Sequence, residues 1–578
     1  MTSLTGTRLP DHLKKYVVEQ NYERYTPEDQ AVWRYIMRQL KSFLSQHAHE
    51  SYLDGLTKTG ITTDRIPKIS DIDQHLEKFG WGAVPVSGFI PPAAFMEFQS
   101  LGILPIASDM RTLDHLLYTP APDIVHEAAG HAPILIHPEF ADYLRKYAEV
   151  ARHAILSKED LDQYEAIRIL SDVKEDPQST AADIAKADIA LQKVNASLRY
   201  VSEAGLLSRM NWWTAEYGLI GSLESPKIFG AGLLSSVGES RECLGPKVKR
   251  IPLSIDCVDY SYDITEPQPQ LFVTPNFATL NQVLEQLAER LAYRRGGMYG
   301  LTQANLSRAV NTVQLNSKIQ ISGVLEKYYG EGFYLKFSGP CQISLNRQEI
   351  KGQGVSQHAH GYSTPVGLLE ATDKCLSNMT VSELSGLGLK LGSKVNLRYR
   401  SGVNVSGTLV HWEFDGTTLI LLKFKDCHVT LGSETLFDPS WGEYDLAVGT
   451  EVTSVFAGPA DRHRFGITDD FVAKRVPEKK YAGPKLLDFK FYNATHLIRE
   501  NLQSPSNLGV FKDLSAQFLA PHEENWLKGI ELLELSYLIP SADSERTQIL
   551  NKLKSLENRG ATIKMNIEDG IKLSSIRS

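Results

Sequence analysis

The chain of 578 residues is too long for a single compact core, so two or three domains are expected. Hydrophobic residues make up 42% of it and charged residues 22%, which is typical of a water-soluble globular protein. The formal net charge of -8 argues against nucleic acid or an anionic membrane as a main partner. No apolar run is long enough to cross a bilayer, and the start of the chain lacks a signal-peptide pattern, so we predict a cytoplasmic protein.

Helical patterns dominate the first part of the chain. Thr26 is placed to cap a helix that begins at Pro27, and apolar residues recur at helical spacing from Val32 to Leu44. Ser70 is predicted to cap another helix. We therefore expect this part of the chain to be mainly helical.

A polar segment interrupts the helical part. Residues 157–200 keep helical periodicity but are rich in charge, and Pro177 breaks them near the middle. We predict that they form an added pair of helices. The helical pattern resumes over residues 202–220 and closes near Gly296.

Beyond residue 300 the pattern changes from helix to strand. Residues 318–321 and 394–400 alternate polar and apolar side chains with a period of two, as half-buried strands do. Asp415 and the glycine after it are predicted to form a hairpin turn. We predict a β-rich domain over residues 302–480 and a mostly helical region over residues 483–578.

These last two regions match no motif that we recognise. The expected role is that of an accessory or assembly module, through self-association or an unknown partner. His358 and His360 would place two rings on one strand face as a second metal pair, but the sequence offers no evident third ligand nearby. An ordinary loop is the favoured interpretation of these two histidines.

Glu216 has surroundings that need an explanation. On a helix its neighbours three and four residues away are Trp212, Trp213 and Ile220, so its carboxylate would project from an apolar face. A buried carboxylate without a partner is costly and would take up a proton. Either a metal ion or a buried arginine would keep it ionised, and the pattern leaves both open.

His126 and His131 are two further candidate metal ligands. The run from His126 to His131 resembles the HExxH motif of zinc proteases, but that motif spaces its histidines four apart and this one spaces them five apart. A regular α-helix would point the two rings roughly 140° apart. We predict that a helix ends near Gly130 and that His131 belongs to the next segment. Two imidazoles and one carboxylate are the ligand set of a non-haem Fe(II) oxygenase.

Several motifs in register extend this pattern. They are residues 84–90 with Phe95, Arg111, residues 118–131, residues 212–219 and residues 230–239. On these motifs the chain from about Tyr25 to Gly297 resembles the catalytic domain of the pterin-dependent aromatic amino acid hydroxylases. The resemblance implies a mainly α catalytic domain with few short strands over residues 1–297, with residues 157–200 as an insertion.

The resemblance also implies an activity. Members of this family hydroxylate the ring of a free aromatic amino acid, with Fe(II), tetrahydrobiopterin or a related tetrahydropterin, and O2 as co-substrate. By position, His126, His131 and Glu216 correspond to the iron ligands. Glu127 corresponds to the catalytic acid that aids oxygen activation.

Other site residues follow from the same resemblance. The residues implied at the pterin are Val86, Gly88, Ile90 and Phe95. The residues implied at the amino acid substrate are Arg111, Thr119, Pro122, Asp123, Trp212, Tyr217, Gly232, Ser235 and Ile264. Among these, Arg111 would bind the substrate carboxylate, Asp123 would hold that arginine, and Ser235 would also support a ligand histidine.

The identity of the substrate depends on two positions. Ile264 stands where members that act on tyrosine carry an acid, and Trp212 stands where members that act on tryptophan tend to have phenylalanine. We therefore expect phenylalanine to be the substrate and tyrosine the product. Two alternatives remain: tryptophan 5-hydroxylation, and a scaffold or binding protein with a vestigial catalytic domain.

Overall fold

The computed structural model describes Gly6 and residues 9–88, 90–116, 122–175, 179–263, 267–466 and 484–575. Thr119 and Ile264 lie outside the described residues. The chain divides into two compact units. The first unit comprises Met1–Ala148, Met210–Asn281 and Phe471–Ser578, and the second comprises Glu149–Arg209 and Gln282–Asp470. The domain boundaries at 297, 302 and 480 stay predictions.

The first unit is mainly helical, and two of its helical turns are π-helices. Its α-helices are Pro27–His47, Ser51–Lys58, Ile69–Leu76, Pro92–Ser100, Ala132–Ile134, Ala231–Leu234, Val237–Glu242, Pro484–Glu500, Asn507–Leu519, Trp526–Ser536, Asp543–Leu556 and Ala561–Ser574. The π-helices are Val125–His131 and Trp212–Glu216. Three further helices run across the boundaries between the units, namely Pro138–Ala151, Glu203–Asn211 and Phe277–Ala288.

Two small sheets complete the first unit. Gly82–Val86 and Ile103–Ala107 pair in parallel. The second sheet has four strands, in the order Pro226–Ile228, Leu219–Gly221, Gln270–Thr274 and Lys249–Pro252. These strands are few and short, as the resemblance implies for a catalytic domain of this family.

The helix Pro27–His47 begins as the sequence predicts. The Thr26 hydroxyl accepts a hydrogen bond from the Asp29 backbone at 3.0 Å, and the Asp29 carboxylate accepts one from the Thr26 backbone at 2.9 Å. This reciprocal pair satisfies two backbone donors that a helix start would otherwise leave open. The prediction for Ser70 is wrong, because that helix begins at Ile69 and Ser70 lies inside it.

The C-terminal helices pack against the helix Pro27–His47. Trp526–Ser536 is buried over its whole length. The ring of Trp526 meets that of Tyr35 edge to face at 5.0 Å, and the Tyr35 hydroxyl donates to the Asn566 carbonyl at 2.7 Å. The first helix is therefore buried on more than the one face that its apolar spacing predicts.

A buried group of charges joins the same helices. Arg34 forms two hydrogen bonds to Glu531, at 3.1 and 2.7 Å. Arg499 lies 3.1 Å from Glu531 and 2.7 Å from Glu534. We call Arg34, Arg499, Glu531 and Glu534 the ionic cluster. Burial by itself raises the pKa of Glu531, but the charges of Arg34 and Arg499 outweigh it and lower that pKa to about 2.

The second unit contains two antiparallel sheets. The larger has the strand order Gln348–Glu349, Tyr334–Leu345, Ile319–Tyr329, Val310–Leu315 and Val452–Ala457, with Gly361–Pro365 also paired to Tyr334–Leu345. The other has the order Lys394–Arg398, Val403–Asp415, Thr418–Leu431 and Glu434–Phe437, with Tyr444–Ala447 also paired to Thr418–Leu431. All these strands lie within the stretch that the sequence predicts to be β-rich.

Three short features of this unit match the sequence predictions. Asp415 pairs with Thr418 across a tight turn in which Gly416 has a φ of 59°, so the hairpin prediction is confirmed. The helices Lys158–Glu175 and Ala181–Ser197 form the predicted added pair. As the favoured interpretation expects, His358 and His360 lie in a loop, where His358 is buried, with its Nε2 atom 2.7 Å from the Gln353 side-chain oxygen, and His360 is exposed.

The remaining helices of the second unit are short. They are Ala292–Arg295, Gly297–Ser307, Val381–Gly386 and Arg462–Phe465. Among the described residues, no helix combines the length and the apolar character needed to cross a bilayer.

Candidate metal centre

Two π-helical turns carry the predicted metal ligands. In a π-helix the backbone hydrogen bonds join residues five apart, so side chains five apart lie on similar sides of the turn. His126 and His131 both belong to the π-helix Val125–His131, and their ring centroids are 5.0 Å apart at 83°. The prediction that a helix ends near Gly130 is wrong. The wider π turn, rather than a break, brings the two rings together.

The second π turn ends at the third ligand. Trp212–Glu216 is followed by the strand Leu219–Gly221, so the predicted helix over residues 202–220 ends earlier than expected. Gly218 stands at this change of direction. A Cβ atom there would lie 2.2 Å from the Phe229 ring and 2.3 Å from the Thr214 carbonyl, so the close packing requires a glycine.

The three side chains meet in one place. Nε2 of His126 lies 3.4 Å from one Glu216 carboxylate oxygen, and Nε2 of His131 lies 3.4 Å from the other. One donor atom from each of the three residues falls within 4.8 Å of the others. Ligands of one ion at about 2.0–2.2 Å stand about 3 Å apart or slightly more, so this set fits a single metal ion. Within the described part of the chain it is the one such group of three.

The electrostatics of Glu216 favour a cation between these ligands. Burial raises the pKa of Glu216, but the charge and hydrogen bonds of His131 and His126 outweigh burial and hold that pKa well below its usual range. In the described residues the ion-pair partners of Glu216 are these two imidazoles, not the arginine of the alternative interpretation. The carboxylate is therefore ionised and ready to bind a metal.

Ser235 fixes the orientation of the first imidazole. Its hydroxyl donates to the Ala231 carbonyl at 2.7 Å, so it accepts a hydrogen bond from Nδ1 of His126 at 3.1 Å. When a metal ion displaces the proton that Nε2 shares with Glu216, a proton kept on Nδ1 leaves the Nε2 lone pair for the ion, which is the tautomer a metal ligand needs. Nδ1 of His131 is buried and has no hydrogen-bond partner among the described residues.

Glu127 is a buried acid beside the ligands. One of its carboxylate oxygens has no hydrogen-bond partner among the described residues. Burial raises the pKa of Glu127 to about 8, against the charge of His131 and with the help of the charges of Glu216 and Asp123. A carboxyl group whose pKa lies near neutral pH, and which has one oxygen without a hydrogen-bond partner, is suited to hold or pass a proton.

Arg111 and Asp123 form a buried pair tied to the ligand turn. The guanidinium donates to both carboxylate oxygens, at 2.6 and 2.8 Å. Asp123 also accepts from the backbone N–H of His126 at 3.0 Å, and Nη1 of Arg111 lies 3.5 Å from the Ser235 carbonyl. The structure thus fixes a buried guanidinium beside the metal ligands, with its Nε–Nη2 edge bound by Asp123.

Aromatic rings form a stack next to the third ligand. Trp212 lies between Tyr217, at 4.5 Å, and Tyr262, at 4.4 Å. Gly232 allows the Tyr217 ring to pack directly against the backbone, because a Cβ atom at position 232 would lie 2.9 Å from that ring. Pro122 precedes Asp123 and is half-buried.

Two residues beside Trp212 and Tyr217 were not assigned from the sequence. Tyr262 stacks on Trp212, and Glu239 accepts a hydrogen bond from the Tyr217 hydroxyl. Tyr262 stands two positions before Ile264. Glu239 closes the motif of residues 230–239. Both lay next to assigned residues, which was the only signal available.

The residues predicted at the pterin form one neighbourhood. Val86 and Ile90 are buried in an apolar cluster with Leu13, Tyr16 and Phe98, and Phe95 packs against this cluster while half-buried. Gly88 has a φ of 56°, a conformation that favours glycine. The side chains of Val86 and Ile90 shape the cluster, so any contact they make with a ligand would come chiefly from the backbone. Their role at a pterin stays a prediction.

Comparison with known proteins gives a match over half of the chain. A model of the family described as biopterin-dependent aromatic amino acid hydroxylase matches residues 14–160 and 177–325. The stretch left unmatched between 160 and 177 falls in the first helix of the added pair, Lys158–Glu175. All the residues of the candidate metal centre lie inside the matched ranges.

Two curated bacterial proteins illustrate the similarity. The chain is 30% identical over 274 residues to the phenylalanine-4-hydroxylase of Mesorhizobium japonicum, which covers 47% of this chain and 83% of that protein. It is 28% identical over 294 residues to that of Chromobacterium violaceum, covering 48% and 84%.

A solved structure is also similar. The crystal structure of the Chromobacterium violaceum enzyme with bound Fe(III) is 25% identical, with a TM-score of 0.38, and covers 49% of this chain and 94% of that one. A TM-score this low leaves the relationship to be judged from the sequence matches.

Proposed function

The chain belongs to the biopterin-dependent aromatic amino acid hydroxylase family, and on that premise we propose that it hydroxylates free phenylalanine to tyrosine. Iron would be held by His126, His131 and Glu216, and tetrahydrobiopterin or a related tetrahydropterin would bind near Phe95. O2 is the co-substrate.

The observation that carries this proposal is the convergence of the three ligand atoms on two π turns. Two imidazoles and one carboxylate on one side of an ion leave further positions open, as an oxygenase requires. The adjacent orphaned oxygen of Glu127 and the buried Arg111–Asp123 pair fit a reaction that needs a proton carrier and a bound carboxylate. A vestigial site would not be expected to keep all of these groups.

Bound iron and tetrahydropterin supply the redox chemistry, and the protein supplies position and a dry environment. Arg111, held by Asp123, binds the amino acid carboxylate and so fixes the distance of its ring from the metal centre. Trp212, Tyr217 and Tyr262 form an apolar wall for that ring. Glu127 keeps a proton on its carboxyl group near neutral pH and can exchange it with a neighbouring oxygen atom.

Phenylalanine is the substrate that the available observations support best. The relatives described above are named phenylalanine-4-hydroxylases. Trp212, the position that the resemblance links to the choice of substrate, is stacked against the rings of Tyr217 and Tyr262.

The deciding experiment is reconstitution of the full chain with Fe(II). Tetrahydropterin and O2 are supplied, and formation of tyrosine from phenylalanine and of 5-hydroxytryptophan from tryptophan is followed separately. We expect tyrosine to dominate. Predominant 5-hydroxytryptophan would change the substrate, and no product from either amino acid, with iron bound at one equivalent, would refute the enzyme function.

A further inference from the structure

We propose that Glu239 is a positioning residue for the aromatic pocket, acting through the hydroxyl of Tyr217. This inference rests on the proposed function, since it concerns how the ring of the amino acid is held. The geometry points to a connected path from Glu239 to Tyr217 and on to Trp212.

The ring of Tyr217 is fixed on three sides. One face stacks on Trp212 at 4.5 Å with an interplanar angle of 26°. Its edge lies against Gly232, where a Cβ atom would come within 2.9 Å. Its hydroxyl lies 3.1 and 3.0 Å from the two carboxylate oxygens of Glu239. A phenylalanine would keep the first two contacts but lose the third.

Glu239 has a costly environment for a carboxylate. Burial raises its pKa, and hydrogen bonds from the hydroxyls of Tyr217 and Ser236 offset only part of that effect. Neutral hydroxyls compensate a buried charge less well than a guanidinium would. An apolar side chain would stabilise the fold better, so the acid at this position is more easily explained by the ring it holds.

The same short segment also supports the metal centre, but by a separate contact. Ser235 accepts the hydrogen bond of His126, and the adjacent Ser236 hydroxyl accepts one from the Glu239 backbone at 3.3 Å. The segment therefore orients a metal ligand through Ser235 and the pocket wall through Glu239. Loss of the Glu239 contact should change amino acid binding and leave iron binding intact.

The test uses the iron-loaded full chain and a double-mutant cycle. The variants are Tyr217→Phe, Glu239→Leu and the two combined, with Glu239→Gln as the conservative replacement. The KM for phenylalanine, kcat, iron content and the calorimetric Kd for phenylalanine are measured on each. Glu224→Leu is the control, because Glu224 is an exposed acid outside the cavity that Tyr217 and Glu239 line.

Each single variant should raise KM and Kd for phenylalanine about 10-fold, as expected for loss of a hydrogen bond to a charged group. The combined variant should be no worse than either single one, because all three remove the same contact. Glu239→Gln, which keeps an acceptor oxygen, should recover part of the affinity. The kcat of each variant should stay within about 2-fold and iron content should be unchanged, since this contact bears on ground-state binding alone.

Two results would overturn the proposal. One is additive effects of the two single changes, and the other is unchanged phenylalanine binding in Tyr217→Phe, a variant that removes one atom and keeps the ring packing. Failure of the proposed function is a different result, since the wild-type protein would then form no tyrosine. The calorimetric titration would still report whether the pocket holds phenylalanine and whether Glu239 matters for it.

Discussion

Two regions of the first unit that carry buried charge satisfy that charge very differently. In the ionic cluster every carboxylate meets at least one guanidinium, and Glu531 meets two. At the metal centre Glu216 faces two imidazoles at 3.4 Å, while atoms of His131 and Glu127 have no partner among the described residues. Buried charges that all have a counter-charge indicate a structural role. Buried charged groups with atoms that lack a hydrogen-bond partner indicate a ligand-binding site.

The comparison predicts that substitutions in the two regions lower different quantities, stability in one and metal affinity in the other. Replacing a residue of the ionic cluster leaves an uncompensated charge in the core and should lower the free energy of unfolding. Replacing a metal ligand should remove metal binding with little loss of stability in the iron-free protein. Four substitutions test that separation, beginning with the largest effect.

Glu216→Ala should abolish iron binding and tyrosine formation. Iron affinity should fall by more than about 100-fold, since even a residue that only supports a ligand costs 10- to 100-fold. Metal analysis and product assays check this, with the exposed acid Glu224→Ala as control. The comparison would fail if Glu216→Ala unfolded the iron-free protein as severely as a change in the ionic cluster.

Glu531→Gln should cost about 3–5 kcal/mol in the free energy of unfolding, because Arg34 and Arg499 lose their shared counter-charge. Denaturant titration measures it, and the exposed acid Glu500→Gln is the matched control. Folded protein should still bind one iron. Loss of iron binding without loss of stability would contradict the assignment of this cluster to architecture.

The difference in stability between the wild-type protein and Glu531→Gln should depend on pH. The pKa of Glu531 is lowered to about 2 in the folded protein, from an ordinary value of 4.5. Its contribution to stability is therefore complete above about 4.5 and is lost as the pH falls towards about 2. The difference in unfolding free energy between wild type and Glu531→Gln should shrink across that interval, and a constant difference would show that Glu531 is not ionised.

Ser235→Ala should weaken iron binding by about 10- to 100-fold, because the proton on Nδ1 of His126 loses its acceptor. Competition with a chelator of known affinity measures the change. Ser70→Ala, an exposed serine, serves as control. An unchanged iron affinity would mean that the packing of the π turn alone orients His126.

Thr26→Ala should have the smallest effect, about 1 kcal/mol in unfolding free energy, through loss of the helix cap. The cap lies on the helix that carries Arg34 but touches neither charged region. Thermal unfolding measures it, with no change in iron content. An effect as large as that of Glu531→Gln would show that the stability of this helix depends on its end rather than on its buried charges.

Local signals made several elements of the chain predictable. The Thr26 cap, the added helical pair and the Asp415 hairpin depend on neighbours a few residues away, and all three are as expected. The three ligands could be named because His126 and His131 stand in one recognisable motif and Glu216 in another. Their assigned roles in binding and catalysis stay predictions.

What the sequence did not show depends on contacts between distant residues. Arg34 and Glu531 are 497 positions apart, and nothing near either residue indicates that they would meet in the core. The π turns were missed for a different reason. A five-residue spacing is compatible with a helix break as well as with a wider helix, and only the packing of Gly130 against the Ala231 carbonyl, where a Cβ would come within 2.6 Å, shows how close that turn must lie.

In the π-helix Val125–His131 the binding of metal depends on the number of residues between the two histidines. Deleting one alanine from it would leave the run His-Glu-Ala-Gly-His, with the spacing of a zinc-protease helix. The side chains that bind metal would be the same, but they would stand four apart on an α-helix. A single residue of spacing thus distinguishes the two motifs, and an insertion or deletion in this turn would move one imidazole relative to the other.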